Sequence, residues 1–173
     1  MAFGSEQLVY FSDRPTSSEI LSEPPFDLTR ELIQTPVYYV NIRYPYETED
    51  LDEPGVKFLS MLLSLGHEYG EMIFFQIKKL AILKDGEPLP ISVSFLNQDT
   101  GEEDSSYESL LQYLHRVPSH EHRRVRVSCY DGYLKQDNLV IEIELDVRYS
   151  DKQESIHKQI ALYRGYYQRR QPF

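Results

Sequence analysis

Alternation of apolar and polar residues predicts strands along most of the chain. The segment 37–44 alternates in this way and is followed by Pro45, which we expect to end the strand. Two further strands, from Met72 and over 89–96, flank Asp85-Gly86, a dipeptide that favours a tight hairpin turn. In the last third, the segments 125–129, 139–149 and 156–162 predict a meander of three long strands with one solvent-exposed face.

Two segments have the pattern of helices instead. Acidic residues and Pro54 precede an apolar run that ends at Gly66, which predicts a deeply buried helix with a glycine cap. Ser105 and Glu108 form a capping box ahead of leucines at helical spacing, and Pro118 closes that second helix. A short helical turn is expected over 27–34.

These elements, in the order β-α-β-β-α-β-β-β, predict an α+β fold. We expect a curved, mostly antiparallel sheet with two main helices packed on one face. Residues 1–25 are rich in Ser and Pro, so we expect an extended N-terminal arm with a short strand at 7–11. Residues 26–173 are then expected to form a single α+β domain.

Composition narrows the function classes. The 173-residue chain has a net charge of -10, and this acidity disfavours direct binding to nucleic acid, whose affinity for proteins comes largely from Lys and Arg. The lone cysteine, Cys129, excludes an internal disulfide and indicates a reducing compartment. No leader pattern or apolar stretch long enough to span a membrane is visible, so we expect a cytoplasmic protein.

Candidate catalytic and metal-binding residues are few. His120 and His122 are spaced to lie on one face of a strand, as metal ligands can be, but the arginines that follow them disfavour a cation. Cys129 follows an apolar alternation, which indicates a buried, inert thiol. Glu142 and Glu144 share a strand face and are expected on its solvent side. No metal, cofactor or catalytic residue is predicted, and no motif connects the chain to a known family.

Tyrosine is abundant, at 14 residues, and it clusters with arginine near the C-terminus. Tyrosine and arginine are the residues that protein interfaces favour. Tyr10 and Phe11 lie in a segment too polar to build its own core, so they are expected to pack on the body of the protein, on a partner, or on neither. The predicted partner-binding residues are Tyr10, Phe11, Tyr163, Arg164, Tyr166, Tyr167, Arg169 and Arg170.

Three functions remain open from the sequence. The first is a non-enzymatic protein-interaction module, an adaptor, inhibitor or assembly component, whose partner is another protein or a second copy of the chain. The second is a small-molecule-binding protein or enzyme with a pocket between helices and sheet, lined by aromatic residues and by one or two of His67, His115 and His157. The third is an acidic mimic of nucleic acid, which requires carboxylates spaced like phosphates along an exposed face.

Overall fold

The computed structural model describes residues 5–12, 20–21, 29–49, 57–130 and 139–170, and the side chains of residues 31–43, 59–129 and 139–162. The described elements are strands and one short helix. In chain order they are β1 (Ser5–Ser12), β2 (Ile20–Leu21), β3 (Thr29–Gln34), β4 (Tyr38–Glu49), β5 (Lys57–His67), β6 (Ile73–Lys84), β7 (Glu87–Pro88), β8 (Ser92–Asn97), β9 (Glu102–Asp104), α1 (Tyr107–Gln112), β10 (Leu114–Val117), β11 (His122–Tyr130), β12 (Leu139–Tyr149) and β13 (Lys152–Arg170).

The strands form a sandwich of two sheets that share β13. Strand order along the hydrogen-bonded path is β10-β6-β12-β13-β1-β4-β5-β11-β8-β9. β13 pairs with β12 over residues 152–162 and with β1 over residues 163–170, so it passes from one sheet to the other. We call the sheet of β10, β6, β12 and the first part of β13 the first sheet, and the remainder of the path the second sheet. The described pairings are antiparallel except that of β2 with β13.

The core lies between the two sheets. Period-two alternation places the apolar residues of β4, β5 and β11 against those of β6 and β12, and together they form one buried cluster. Tyr38 of the second sheet meets Phe75 of the first edge to face, with ring centroids 5.7 Å apart. The Tyr38 hydroxyl also donates to Glu154 of β13 over 2.6 Å, so an aromatic contact and a hydrogen bond join the layers at one point.

The predicted α+β class is wrong, because the described part of the chain is nearly all antiparallel strand. The segment expected to be a buried helix before Gly66 is instead β5, a central strand between β4 and β11. Residues Leu59 to Leu65 bury every second side chain in the core, so the period is two. Leu62 on the opposite face made the segment resemble an apolar helix, and pairing on both sides decided the outcome.

The other predicted helices are also corrected. The helix behind Ser105 is only α1, whose N-cap is Ser106, accepting from the Ser109 N–H, and β10 begins where a further turn was expected. The turn expected over 27–34 contains β3, which pairs with β4. Two main helices on a sheet therefore do not occur among the described residues.

Some of the strand and turn predictions are confirmed and others are wrong. Asp85 and Gly86 both have positive φ, at 49° and 84°, as the predicted turn requires. β12 has the predicted alternation and forms a hairpin with β13, and the strand expected at 7–11 lies within β1. The three-strand meander is wrong, because β11 pairs with β5 and β8 in the other sheet. Pro45 does not end β4, which continues to Glu49 after a register shift. The division into an arm over 1–25 and a domain over 26–173 stays a prediction.

Candidate interaction surface

The outer face of the second sheet gathers arginines from two strands. On β4 and β11 the apolar residues point into the core, so the polar residues between them point outward. Arg43 of β4 is half-buried, and Arg124 and Arg126 of β11 are exposed. β5 lies between these strands and presents Leu62 and Ser64 on the same face. We call these five residues, with Asn41, the arginine face.

Strand register arranges the arginine face in two neighbouring rows. One row runs from Asn41 through Ser64 to Arg124. The next runs from Arg43 through Leu62 to Arg126. Directly opposite residues have Cβ atoms about 5 Å apart and diagonal neighbours about 7–8 Å, within reach of an arginine side chain. Both Arg43 and Arg124 can therefore extend over Ser64.

The described residues of the arginine face carry positive charge although the chain is acidic overall. Among the described residues, no carboxylate forms an ion pair with Arg43, Arg124 or Arg126, whereas Arg116 pairs with Asp99 and Arg123 with Glu121. His122 lies beside the face and its Nε2 accepts from Arg124 Nε over 3.1 Å. Burial lowers the pKa of His122, and the positive charges of Arg124 and Arg43 lower it further.

Three buried polar atoms on this face have no hydrogen-bond partner. They are Asn41 Oδ1, Arg43 Nε and Ser64 Oγ, and they belong to neighbouring positions of β4 and β5. The Ser64 side chain is 0% exposed. Because buried polar groups are nearly always hydrogen-bonded, three unpartnered ones at neighbouring positions are unusual.

An aromatic ring borders the cluster. Tyr39 is in register with Gly66, and its ring lies over that glycine so closely that an added Cβ would collide with the Tyr39 hydroxyl oxygen. A side chain at position 66 would push the ring away. Glycine is therefore required here for close approach of the ring to the sheet.

A shallow concavity of about 340 Å³ adjoins Arg126. It lies between β8, β11 and the start of α1, and its polar lining is Arg126, Tyr107 and four serines. The serines are Ser92, Ser94, Ser105 and Ser128. Hydroxyl groups that both donate and accept make this a polar depression next to the positive charge.

The residues predicted to bind a partner lie on two paired strands of the same sheet. In β1, Tyr10 is in register with Gly165 of β13 and Phe11 with Arg164. Residues 163–170, which contain Tyr163, Arg164, Tyr166, Tyr167, Arg169 and Arg170, form the end of β13. Tyr10 is also in register with Tyr46 of β4, so these strands continue into the arginine face. The backbone thus brings the two predicted segments together, and their side chains lie outside the described set.

The histidines do not converge on a common site. The His67 Nε2–H donates to the Val117 carbonyl over 2.5 Å inside the core. His115 is buried against Tyr113 and Phe95. His157 is on the outer face of the first sheet, where it bonds to Glu142. Among the described residues there is one short helix, and the buried side chains between the sheets form one cluster, so these residues do not form the predicted pocket between two main helices and a sheet.

Among the described residues, the candidate metal ligands form no metal-binding cluster and the candidate nucleophile is buried. His120 is in a turn with φ of 63° and His122 begins β11, and no group of three potential metal ligands occurs among the described residues. Cys129 is 2% exposed, which confirms the predicted buried thiol.

The carboxylate pair on β12 is tied to neighbouring side chains. Glu142 is on the outer face as predicted, but it is only 5% exposed. Lys79 Nζ is 2.7 Å from its carboxylate, and His157 and Gln159 also bond to it. Hydrogen bonds from Lys79, Gln159 and His157, in that order, lower the pKa of Glu142 to about 2. An ion-paired carboxylate of this kind is a structural anchor and a poor mimic of a nucleic-acid phosphate.

Likeness to known proteins is found among solved structures. No protein-family model matches the chain, and no curated protein matches its sequence. Among solved structures, it is similar to the ASH/PapD-like domain 7 of human CEP192 at 13% identity and a TM-score of 0.33, covering 90% of this chain and 96% of that one. No helix in the described ranges is long and apolar enough to cross a membrane.

Sequence reasoning missed the arginine face because its parts are distant in sequence. Arg43 and the Arg124–Arg126 pair belong to strands separated by β5 to β10. The available signal was local: Arg124 and Arg126 alternate with Val125 and Val127, which indicates an outward row of positive charge. Joining that row to Arg43 required the knowledge that β5 is a strand.

Proposed function

We propose that this protein is a non-enzymatic interaction module that binds an acidic segment of another protein on its arginine face. The observation that carries this is the gathering of Arg43, Arg124 and Arg126 on neighbouring strands with no carboxylate paired to them among the described residues. In a chain of net charge -10, such a patch gives the surface a local sign opposite to the whole. Charge complementarity of this kind selects acidic partners and orients their approach.

Arginine suits this role better than a lysine surface would. Its guanidinium presents several donors in a fixed plane and pairs with carboxylates in a bidentate manner. The Tyr39 ring next to the face supplies apolar contact area, which interface anchors need in addition to charge. The polar depression beside Arg126 offers room for a neighbouring side chain of the partner.

We extend the proposed surface to the predicted residues on β1 and the end of β13. The pairing of these strands, and their continuity with β4, supports a single binding surface that runs across the second sheet. Tyr10, Phe11, Tyr163, Arg164, Tyr166, Tyr167, Arg169 and Arg170 are the proposed contacts there. A second copy of the chain, through its acidic loop over 99–104, is one acidic partner that fits.

A defined acidic probe tests the arginine face. Fluorescence anisotropy of a labelled decaglutamate peptide measures its affinity for the wild type and for Arg124→Glu. Arg148→Glu is the matched control, since Arg148 is also an exposed arginine on an outer strand face, but on the first sheet. We expect Arg124→Glu to weaken binding about tenfold and added salt to weaken it further, because both reduce attraction between exposed charges. Equal affinities for the wild type and both variants would refute the arginine face.

Alanine at Tyr166, Tyr167, Arg169 and Arg170 together tests the extension. Native mass spectrometry and affinity measurements on this variant report self-association and partner binding. We expect a partner or self-contact seen with the wild type to be weakened. Retention of every such contact would remove the end of β13 from the surface and leave the arginine face unaffected.

A further inference from the structure

We infer that the arginine face holds a phosphate monoester of its partner, seated over Ser64 between Arg43 and Arg124. This rests on the proposed function and specifies the chemistry of the acidic segment. The ligand we assign is a phosphoserine or phosphothreonine side chain in an acidic peptide.

Unpartnered donors converge on this position from three strands. Ser64 Oγ and Arg43 Nε are buried and without a hydrogen-bond partner. Arg124 is directly opposite Ser64 in the strand register, and its Nε bonds to His122 while its terminal nitrogens have no ion pair among the described residues. Strand register therefore places a hydroxyl, a buried guanidinium edge and a second guanidinium at neighbouring positions of three adjacent strands. Each buried donor left unpartnered destabilises the structure, so a group that accepts from all of them gains affinity.

The number and placement of these donors favour phosphate over carboxylate. A carboxylate has two oxygens in one plane, which suit a single guanidinium fork. A phosphate monoester has three terminal oxygens arranged as a tetrahedron and a charge between -1.5 and -2 near neutral pH. Because the donors belong to three different strands, β4, β5 and β11, a tetrahedral acceptor with three oxygens matches their number, whereas a carboxylate has one oxygen fewer than there are donors.

Asn41 is compatible with this seat. Its Oδ1 is the third buried atom without a partner, and it would face the anion as an acceptor. A half-turn of the amide presents the NH₂ group instead, which adds two donors to the same side of the seat. The Tyr39 ring, lying over Gly66 in the adjoining row, then bounds the seat on one side.

Peptide binding distinguishes this inference from the proposed function. Three labelled nonapeptides of glutamate and alanine differ only at the centre, which is phosphoserine, glutamate or serine. We expect the phosphoserine peptide to bind the wild type at least about tenfold more tightly than the glutamate peptide, the ratio that one charge-assisted hydrogen bond supplies. Equal affinities for those two peptides would overturn the phosphate seat and leave the arginine face intact. No binding of either would overturn both.

Variants and NMR locate the bound group. Ser64→Ala is expected to abolish the preference for phosphoserine, whereas the matched control Ser155→Ala, on the outer face of the first sheet, keeps it. If Ser64→Ala does not fold, Arg43→Gln serves as the second variant. In parallel, inorganic phosphate added to ¹⁵N-labelled protein should shift the Ser64 amide and the Arg43 Nε–H saturably, and acetate at equal ionic strength should not. Equivalent shifts with acetate would also overturn the seat.

Discussion

Acid should unfold this protein in part through one buried histidine. His115 is on β10 and points into the core, where its side chain is 2% exposed and its ring centroid is 4.7 Å from that of Tyr113. Burial, with a smaller contribution from the charge of Arg123, lowers the pKa of His115 from 6.5 to about 4. The folded protein therefore holds this residue neutral at pH values where the unfolded chain protonates it.

The size and sign of the effect follow from linkage. Because the unfolded state binds the proton more tightly, stability is full above pH 6.5 and falls as the pH drops towards 4. Each unit of pKa difference corresponds to 1.36 kcal/mol, so the total loss attributable to His115 is about 3 kcal/mol, of which about 2 kcal/mol is lost by pH 5. This is a large fraction of the stability of an ordinary domain.

Replacing the histidine isolates its contribution. The variant His115→Leu has no imidazole to protonate at this position. Between pH 7.5 and pH 5, we expect its free energy of unfolding to fall by about 2 kcal/mol less than that of the wild type. Urea unfolding followed by circular dichroism measures both proteins at each pH, and His120→Gln, an exposed histidine, is the control. Carboxylates that titrate at low pH are common to all three proteins and cancel in the comparison. Parallel pH profiles for the wild type and His115→Leu would refute the argument.

Three further predictions concern single side chains. The depressed pKa of Glu142 stabilises the folded state only while the carboxylate is charged, so the wild type loses this stability as the pH falls from 4.5 towards 2. Glu142→Gln should lack this contribution and should therefore show a smaller loss over that range. Urea unfolding at each pH measures the difference. Gly66→Ala should displace the Tyr39 ring and cost about 1 kcal/mol, seen as shifted Tyr39 ring resonances and a lower Tm, and unchanged resonances would contradict it. Tyr107→Phe removes the hydroxyl that accepts from the Leu80 N–H and donates to the Leu80 carbonyl. We expect the free energy of unfolding to fall by about 1–2 kcal/mol and the Leu80 amide to exchange faster with solvent. An unchanged exchange rate would argue against this contact.

Sequence periodicity predicted the parts of the fold where it was unambiguous. β12 alternates between apolar and charged residues from Ile141 to Val147, and both its inner face and its hairpin with β13 follow from that pattern. Asp85-Gly86 has one favourable conformation in a tight turn, so its chemistry was also sufficient. In these places local preference and tertiary structure agree.

Local preference failed where apolar residues occur on both faces. β5 contains leucines at inner and outer positions, and its alternation is broken by Leu62, so the segment fitted a buried helix equally well. Its identity as a strand depends on β4 and β11 pairing with its two edges. The arginine face shares this dependence, because it exists only when that strand brings its neighbours into register.

The strand that joins the two sheets has a consequence for how the protein folds. β1 and the end of β13 pair with each other although they come from opposite ends of the described sequence. During synthesis β1 must wait, with one edge unoccupied, until almost all of the intervening chain has been made. Pairings between such distant segments carry a high entropic cost of loop closure, so we expect slow folding with this ladder among the last to form. In the interval, the exposed edge of β1 is where the nascent chain is most prone to pair with a neighbouring molecule.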